Sequence, residues 1–566
     1  MERQKPVIYQ LLLRLFGNQN TKPEFNGSRE INGCGKFNSI TPKALSEIKD
    51  LGVSHVWYTG IIEHAIVEGY PDYQIPDGNP LVIKGVAGSP YAIKDYYDVN
   101  PDLAEDVGER LEEFKALLKR THDAGLKAII DFVPNHLARE YCSDVKPEGV
   151  IDFGSADNTD LGFLPSNNYY YLPHQRLELS AEIKARFPEV EYSEDAARAT
   201  GNDQFTHRPG LNDWYETVKL NYGVDYQKGR VAFFDPIPNT WHKMKHILLY
   251  WIQQGVDGFR CDMVEMVPVK FWEWVIPQIK QTSPWIVFIG EVYNPVLYKA
   301  YIKQGQFDYL YDKVGLYDTL RAVVCEQKTA KEISSCWQNL EGLDKYMLRF
   351  LENHDEQRIA SRFFAESPEK AIPAMLVSIA MHQGPIMLYF GQEVGEPANG
   401  ASGFSGDDGR TTIFDYWNVP EHQKWMNGGR FDSGLLSEQQ KQLRQVYKDL
   451  LSLAKLPAII EGLFYDLMWQ NDEVALLDAD KIYAFMRYSN DQQLLVVCNF
   501  SEEAQYIRLK VPSDALQMLN IPRPIKIEFS DVFGRFKQSI GSEELINEGV
   551  KMQLQAYGYF VMEINV

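Results

Sequence analysis

Acidic, basic and imidazole side chains close several otherwise apolar runs of this 566-residue chain. They fall in Asp131-Phe132-Val133-Pro134-Asn135-His136, Gly258-Phe259-Arg260-Cys261-Asp262, Gly290-Glu291-Val292-Tyr293 and Glu352-Asn353-His354-Asp355. Two carboxyl groups on opposite sides of a sugar ring are the equipment of glycosidic bond cleavage. One attacks the anomeric carbon; the other, kept protonated, gives its proton to the leaving oxygen. Three carboxylates, Asp262, Glu291 and Asp355, stand among these strand ends. An arginine two residues before an aspartate on one strand points to the same face, so Arg260 can orient Asp262 and keep it ionised. A single acid at a strand end is more often a cap or a structural ion pair. Four polar clusters in succession, each ending an apolar strand, point instead to a shared site.

The elements that must position these groups alternate strand and helix. Val7 to Phe16 reads as a buried strand, and Thr41-Pro42 opens a helix with Leu45, Ile48 and Leu51 on its apolar face and a stop at Gly52. Val53 to Thr59 is a second strand, followed by a helix marked by Val107, Leu111, Phe114, Leu117 and Leu118 and ended by Gly125. Leu126 to Val133 is continuously apolar, as a parallel strand covered on both faces must be. After His136 the period is lost among Tyr, Asn, Asp and Pro clusters; it resumes with the helix of Trp241, Met244, Leu248 and Trp251, capped by Gly255, and the strand Val256 to Cys261. Trp285 to Ile289, Phe307 to Tyr311, Tyr346 to Leu351 and Ile386 to Phe390 are the remaining strands. Eight βα units predict an α/β fold, a (β/α)8 TIM barrel with an inserted domain after strand three, whose functional groups gather at the C-terminal strand ends. Ile482 to Tyr488, Leu494 to Phe500, Ala504 to Val511 and Met552 to Ile564 follow without helices and predict a C-terminal antiparallel β domain. The expected division is 1–136 and 228–455 for the barrel, 137–227 for the insertion and 456–566 for a β-sandwich.

Composition narrows the partners. Lys plus Arg total 57 against 78 Asp plus Glu, a net charge of −21, which repels nucleic acid and anionic membrane surfaces. No GxGxxG or GxxxxGK cradle is present, so no nucleotide cofactor is expected. Six cysteines are scattered with no CxxC, which reads as reduced thiols rather than a disulfide framework. The apolar run from Val7 is interrupted by Gln10 and Arg14 and has no cleavage site, so a cytoplasmic location is expected.

The four segments, with Phe350 and Leu351 preceding Glu352, resemble the short motifs of the α-amylase family, glycoside hydrolase family 13. The resemblance implies a retaining enzyme that acts on α-1,4-linked glucans or maltooligosaccharides, with Asp262 as nucleophile and Glu291 as general acid and then base. Asp355 would hold the sugar hydroxyls, and His136, Arg260 and His354 would line the same subsite. Gly88 to Tyr97 is similar to the family segment after strand two, which makes Tyr91 the platform under the sugar. An α-glucan transglycosylase or an α-glucosidase of the same family is the alternative, and a non-catalytic sugar-binding relative is the alternative from another class. All three carboxylates are retained, which a non-catalytic relative would not need. A metal-dependent barrel hydrolase would require ligands at the end of strand one, where Phe16, Gly17 and Asn18 offer none.

The chain also departs from the family pattern. Where typical members carry a Lys-His pair after the nucleophile, it has Glu265 and Met266, and the residue next to the nucleophile is Met263 rather than Thr or Val. Many members join the insertion to the barrel with calcium held by an asparagine and an aspartate. Here the asparagine is Asn135 and the aspartate position is Lys219, which suits hydrogen bonding to Asn135 rather than Ca2+. No metal is therefore expected. Tyr169-Tyr170-Tyr171 and Trp214-Tyr215 are aromatic clusters that suit either core or sugar stacking, and Asp407-Asp408-Gly409-Arg410 reads as a solvated loop able to border the mouth. His242 and His246, at i and i+4 with no third ligand nearby, read as a polar helix face.

Overall fold

The computed structural model describes residues 5–471 and 476–566. Its central sheet has eight parallel strands: β1 (Val7–Leu12), β2 (His55–Thr59), β3 (Lys127–Phe132), β4 (Gly258–Cys261), β5 (Val287–Gly290), β6 (Tyr309–Tyr311), β7 (Met347–Leu348) and β8 (Ile386–Tyr389). They pair in the order β7-β6-β5-β4-β3-β2-β1-β8. The ring closes between β7 and β8, where Arg349 N donates to Pro385 O at 3.0 Å and Met387 N to Arg349 O at 2.8 Å.

The period-2 alternation of strand side chains builds two apolar layers. Ile8, Trp57, Ile129, Ile289, Leu348 and Met387, one residue from each of six strands, pack on one another inside the barrel. Their neighbours Tyr9, Val56, Ile130, Phe259 and Cys261 pack outward under the helices. The helix signals act locally as read: Thr41 caps the helix α1 (Pro42–Asp50) by accepting from Ala44 N, with Pro42 in the first turn. Helix α2 (Arg110–Asp123) precedes β3, and α3 (Asn239–Gln254) ends at Gly255, whose φ of 105° is left-handed.

The first strand is shorter than its apolar run. Leu13–Phe16 turns into one helical turn, buried on every side; a run without period cannot distinguish a buried strand from a buried helix. The insertion pairs His136–Ala138 antiparallel with Thr217–Lys219, which sets His136 opposite Lys219. A buried ion-pair cluster braces it, with Arg139 at 3.0 Å and Arg198 at 2.9 Å from Glu194. Burial pushes the Glu194 carboxyl up, but the two guanidinium groups outweigh it and hold it at about 2.

The C-terminal strands are all antiparallel: β9 (Leu463–Asp466), β10 (Ile482–Tyr488), β11 (Gln493–Asn499), β12 (Gln505–Leu509), β13 (Lys526–Asp531), β14 (Lys537–Gly541), β15 (Val550–Leu554) and β16 (Tyr559–Asn565). A six-stranded sheet runs β9-β10-β11-β16-β13-β14, and β12 pairs with β15 alone. The single strand expected from Met552 to Ile564 is two, separated by a turn in which Tyr557 takes a φ of 51°. Among the described residues no helix is long and apolar enough to cross a membrane.

Candidate active site

Inward-facing positions at the C-terminal ends of the barrel strands converge on one buried guanidinium. Arg260, fully buried on β4, donates from Nη1 to Asp262 Oδ1 at 2.9 Å and to Asp131 Oδ1 at 3.3 Å, and from Nε to Tyr311 Oη at 3.1 Å. Its Nη2 lies 2.7 Å from Glu291 Oε1. The guanidinium carbon sits 5.3 to 5.5 Å from the ring centroids of Trp57, Tyr91 and Tyr311, an aromatic cage for a delocalised cation. A single cation thus binds three carboxylates, and the buried excess of negative charge favours retention of a proton.

Asp262 is the least supported of the three as an anion. Its Oδ2 is buried and accepts no hydrogen bond from any described residue. Burial first, then the charge of Glu291, raise its proton affinity well above the usual carboxylate range, with Arg260 opposing; contrary to the expectation from sequence, the guanidinium orients Asp262 without by itself keeping it ionised. Asp131 is raised as well, again by burial against Arg260, while Trp57 Nε1 donates to its Oδ2 at 2.9 Å. Glu291 by contrast accepts from Met263 N at 2.9 Å and from Tyr293 Oη at 2.6 Å. Met263 reaches it from a left-handed backbone, φ 44°, an arrangement that costs strain in a residue with a side chain.

On the other wall His354 Nε2 lies 2.5 Å from Tyr91 Oη and 3.0 Å from Asp355 Oδ2, with its Nδ1 2.8 Å from Gln10 Nε2. The His354 ring thus bridges Gln10 on one side and the Asp355 carboxylate on the other. Burial would raise Asp355, but His354, Arg260 and Arg410 outweigh it and hold the carboxyl at about 2. Its side chain keeps 40% of its surface open to the mouth.

A cavity of about 250 Å3 lies over these groups, lined by Tyr91, His136, Asp262, Glu291 and Asp355. Five of the seven residues singled out from the sequence therefore share one cavity wall, and Arg260 and His354 lie directly behind it. Tyr91 shows its hydroxyl to His354 and is only 9% exposed, stacked 5.2 Å from the His354 ring. Burial, then the charges of Lys219 and Lys84, lower His136 to about 3, so its imidazole is neutral at any pH near neutrality. His136 therefore does not supply the acid limb of an activity profile. His136→Gln is expected to lower kcat/KM by about 10- to 100-fold, the worth of one or two hydrogen bonds, while leaving that limb in place; a pH profile of kcat/KM checks it.

Trp214 lines the cavity against His136, with ring centroids 5.1 Å apart, whereas Tyr215 and Tyr169-Tyr170-Tyr171 are buried in the insertion. The aromatic clusters thus divide between site and core. Glu265 accepts from Tyr293 N at 3.2 Å and Asn294 N at 2.9 Å, which shapes the turn after β5, and Met266 Sδ lies 3.7 Å from Asn135 Nδ2. His246 Nδ1 bonds Tyr97 Oη at 2.9 Å and His242 lies edge-on to Trp274, as a polar helix face does. Gln10, Trp57, Asp131, Met263 and Tyr293 were not assigned roles from sequence. Gln10 carried the clearest signal, a polar residue at an inward position of an apolar strand.

The family model described as "Alpha amylase, catalytic domain" matches residues 19–408, and that for "Alpha amylase, C-terminal all-beta domain" matches 476–517. Alpha-amylase 3 of Dictyoglomus thermophilum is 22% identical over 514 residues, 88% of this chain and 84% of that protein. The alpha-1,4-glucan:maltose-1-phosphate maltosyltransferase of Picrophilus torridus is 25% identical over 276 residues, 47% of this chain but only 34% of that protein. The crystal structure of the α-amylase from Geobacillus thermoleovorans, complexed with acarbose, superposes over 100% of both chains with a TM-score of 0.62 at 19% identity. With a catalytic-domain match over more than half its length, closed barrel and C-terminal β domain included, the chain belongs to the α-amylase family of enzymes, glycoside hydrolase family 13.

Proposed function

We propose that this protein is a retaining α-glucoside hydrolase that acts on α-1,4-linked glucans or maltooligosaccharides. The observation that carries the reading is the bare Asp262 Oδ2, buried at the cavity with no hydrogen-bond donor among the described residues, beside a Glu291 held on the same guanidinium. A shared guanidinium keeps the two carboxyl groups close, which favours the separation of about 5–5.5 Å of retaining enzymes over the wider inverting one. In the reacting form the proton sits on Glu291 and Asp262 is ionised: Asp262 attacks the anomeric carbon while Glu291 gives its proton to the glycosidic oxygen, and the shortened chain leaves as an alcohol. Water then attacks the same carbon, returns a proton to Glu291 and frees Asp262. Asp355, ionised and aimed by His354, accepts hydrogen bonds from ring hydroxyls. A transferase would replace the water with a sugar hydroxyl, and the matched maltosyltransferase keeps that reading open. Incubation with maltooligosaccharides, isomaltose, trehalose and sucrose tests the proposal: shortened α-1,4 chains support it, products longer than the substrate favour transfer, and inertness toward every α-1,4 substrate contradicts it. Six unpaired cysteines support a cytoplasmic setting.

We also infer that no calcium joins insertion and barrel. Lys219, 1% exposed, donates to Asn135 Oδ1 at 2.8 Å and pairs with Asp203 at 2.5 Å. An ammonium on the asparagine oxygen takes the place a cation would need and repels it. EDTA is expected to change neither activity nor melting temperature. Lys219→Met, which leaves Asn135 and Asp203 without their partner, should cost about 1–3 kcal/mol of stability. A melting-temperature drop with EDTA that Ca2+ restores would contradict this.

A further inference from the structure

Three chain segments close one side of the cavity. The loop after β2 meets the insertion through Lys84 and Glu216, whose charged atoms lie 3.0 Å apart with side chains 9% and 5% exposed. It meets the loop after β8 through Ala87 N, which donates to Phe414 O at 3.0 Å. Gly85, at φ 69°, lies so near Phe414 O that a Cβ would sit 2.1 Å from it, so the two loops pack backbone against backbone there. Phe404, 5.1 Å from the Phe414 ring, packs under Lys84 and Arg186, which ties the β8 loop to the insertion. Arg14 fastens the junction from below, donating to Ala87 O at 2.9 Å and to Ile413 O at 3.2 Å.

This wall stands across the ring from Glu291. In the strand order the acid lies at the end of β5, whereas the wall rises from the ends of β8 and β2 and the insertion after β3. The leaving group departs on the side of the proton donor, so the rest of the donor sugar must extend toward the wall. The whole cavity, from Lys84 and Phe414 at the wall to Glu291 and Tyr293 opposite, is about 250 Å3, below the roughly 300–1,000 Å3 of pockets for drug-sized ligands. A volume this small, shared between the two sides of the scissile bond, leaves little depth at the wall beyond one ring.

Resting on the hydrolase reading above, we infer that the site is a cup one glucosyl unit deep: the enzyme removes single glucose units from non-reducing chain ends, and Lys84 with Glu216 reads the free hydroxyls of that terminal ring. Lys84 donates and Glu216 accepts, a pairing suited to hydroxyls that do both. A chain that continued past this ring would have to pass through the ion pair and the Gly85–Phe414 contact.

The test is a time course on maltoheptaose labelled at its reducing end, run beside 4-nitrophenyl α-glucoside. The cup predicts labelled maltohexaose as the first labelled product, with unlabelled glucose as its partner, and release of nitrophenol from the monoglucoside. A 4-nitrophenyl maltoheptaoside whose terminal 4- and 6-hydroxyls are blocked should remain intact. Early labelled maltotriose or maltotetraose, or cleavage of the blocked substrate, overturns the cup and leaves the hydrolase reading standing. Failure to release anything from any α-glucoside overturns both. In Glu216→Ala, KM for the monoglucoside should rise about tenfold with kcat nearly kept, the mark of a lost ground-state contact; an unchanged KM overturns the reading of the terminal hydroxyls.

Discussion

Replacing Asp262 by alanine is expected to lower turnover on any cleavable α-glucoside by about four to six orders of magnitude, which is about 5–8 kcal/mol of barrier. The loss is large because without the carboxylate no covalent intermediate can form, and the remaining donors stabilise only part of the charge. The same variant should melt no lower than the wild type. Burial raises the proton affinity of Asp262, so its ionised form is a cost to the fold; its Oδ2 has no partner among the described residues, and the side-chain bond lost is the one from Arg260 to Oδ1. Arg260 retains Asp131 and Glu291 after the change. Thermal melting beside steady-state kinetics separates the two effects. Activity within tenfold of wild type would place the nucleophile elsewhere.

Glu291→Gln should show a loss that depends on the leaving group. A general acid is worth about 10²- to 10⁴-fold when the departing alkoxide is basic, so maltose hydrolysis should fall by that range. Fluoride departs without a proton, so α-glucosyl fluoride should still react rapidly with Asp262. The second step then lacks its base, and an enzyme heavier by one glucosyl residue should accumulate, with a burst of fluoride followed by slow turnover. Mass spectrometry and a fluoride electrode read both. Equal losses on maltose and on the fluoride would assign Glu291 a structural role. The amide keeps an acceptor for Met263 N, so folding is not the confounding variable.

What was legible beforehand follows from chain locality. Arg260 and Asp262 lie two residues apart on one strand, and the other strand-end groups stand at the same level of a ring whose geometry the βα rhythm dictates. Asp262, Glu291, Asp355, Tyr91, His136, Arg260 and His354 therefore assemble as a group. The Lys84–Glu216 pair was not visible, because it joins a loop to an insertion more than a hundred residues away with no periodic element between them. Gln10 left a trace that was available, a polar side chain at the inward register of β1, but an interruption in an apolar run reads equally as a strand flaw. In the C-terminal region Ile527 and Phe529 are the only apolar alternations of β13, too few to stand out, and β9 and β14 are shorter still. Apolar runs without period misjudged the end of β1 for the same reason.

The central claim, a double displacement with Asp262 as nucleophile, is tested most directly by the anomer released first. Proton NMR of a maltooligosaccharide digest, recorded before mutarotation, is predicted to show the new reducing end as the α anomer, because two inversions at one carbon restore the starting configuration. Initial appearance of the β anomer would contradict the account.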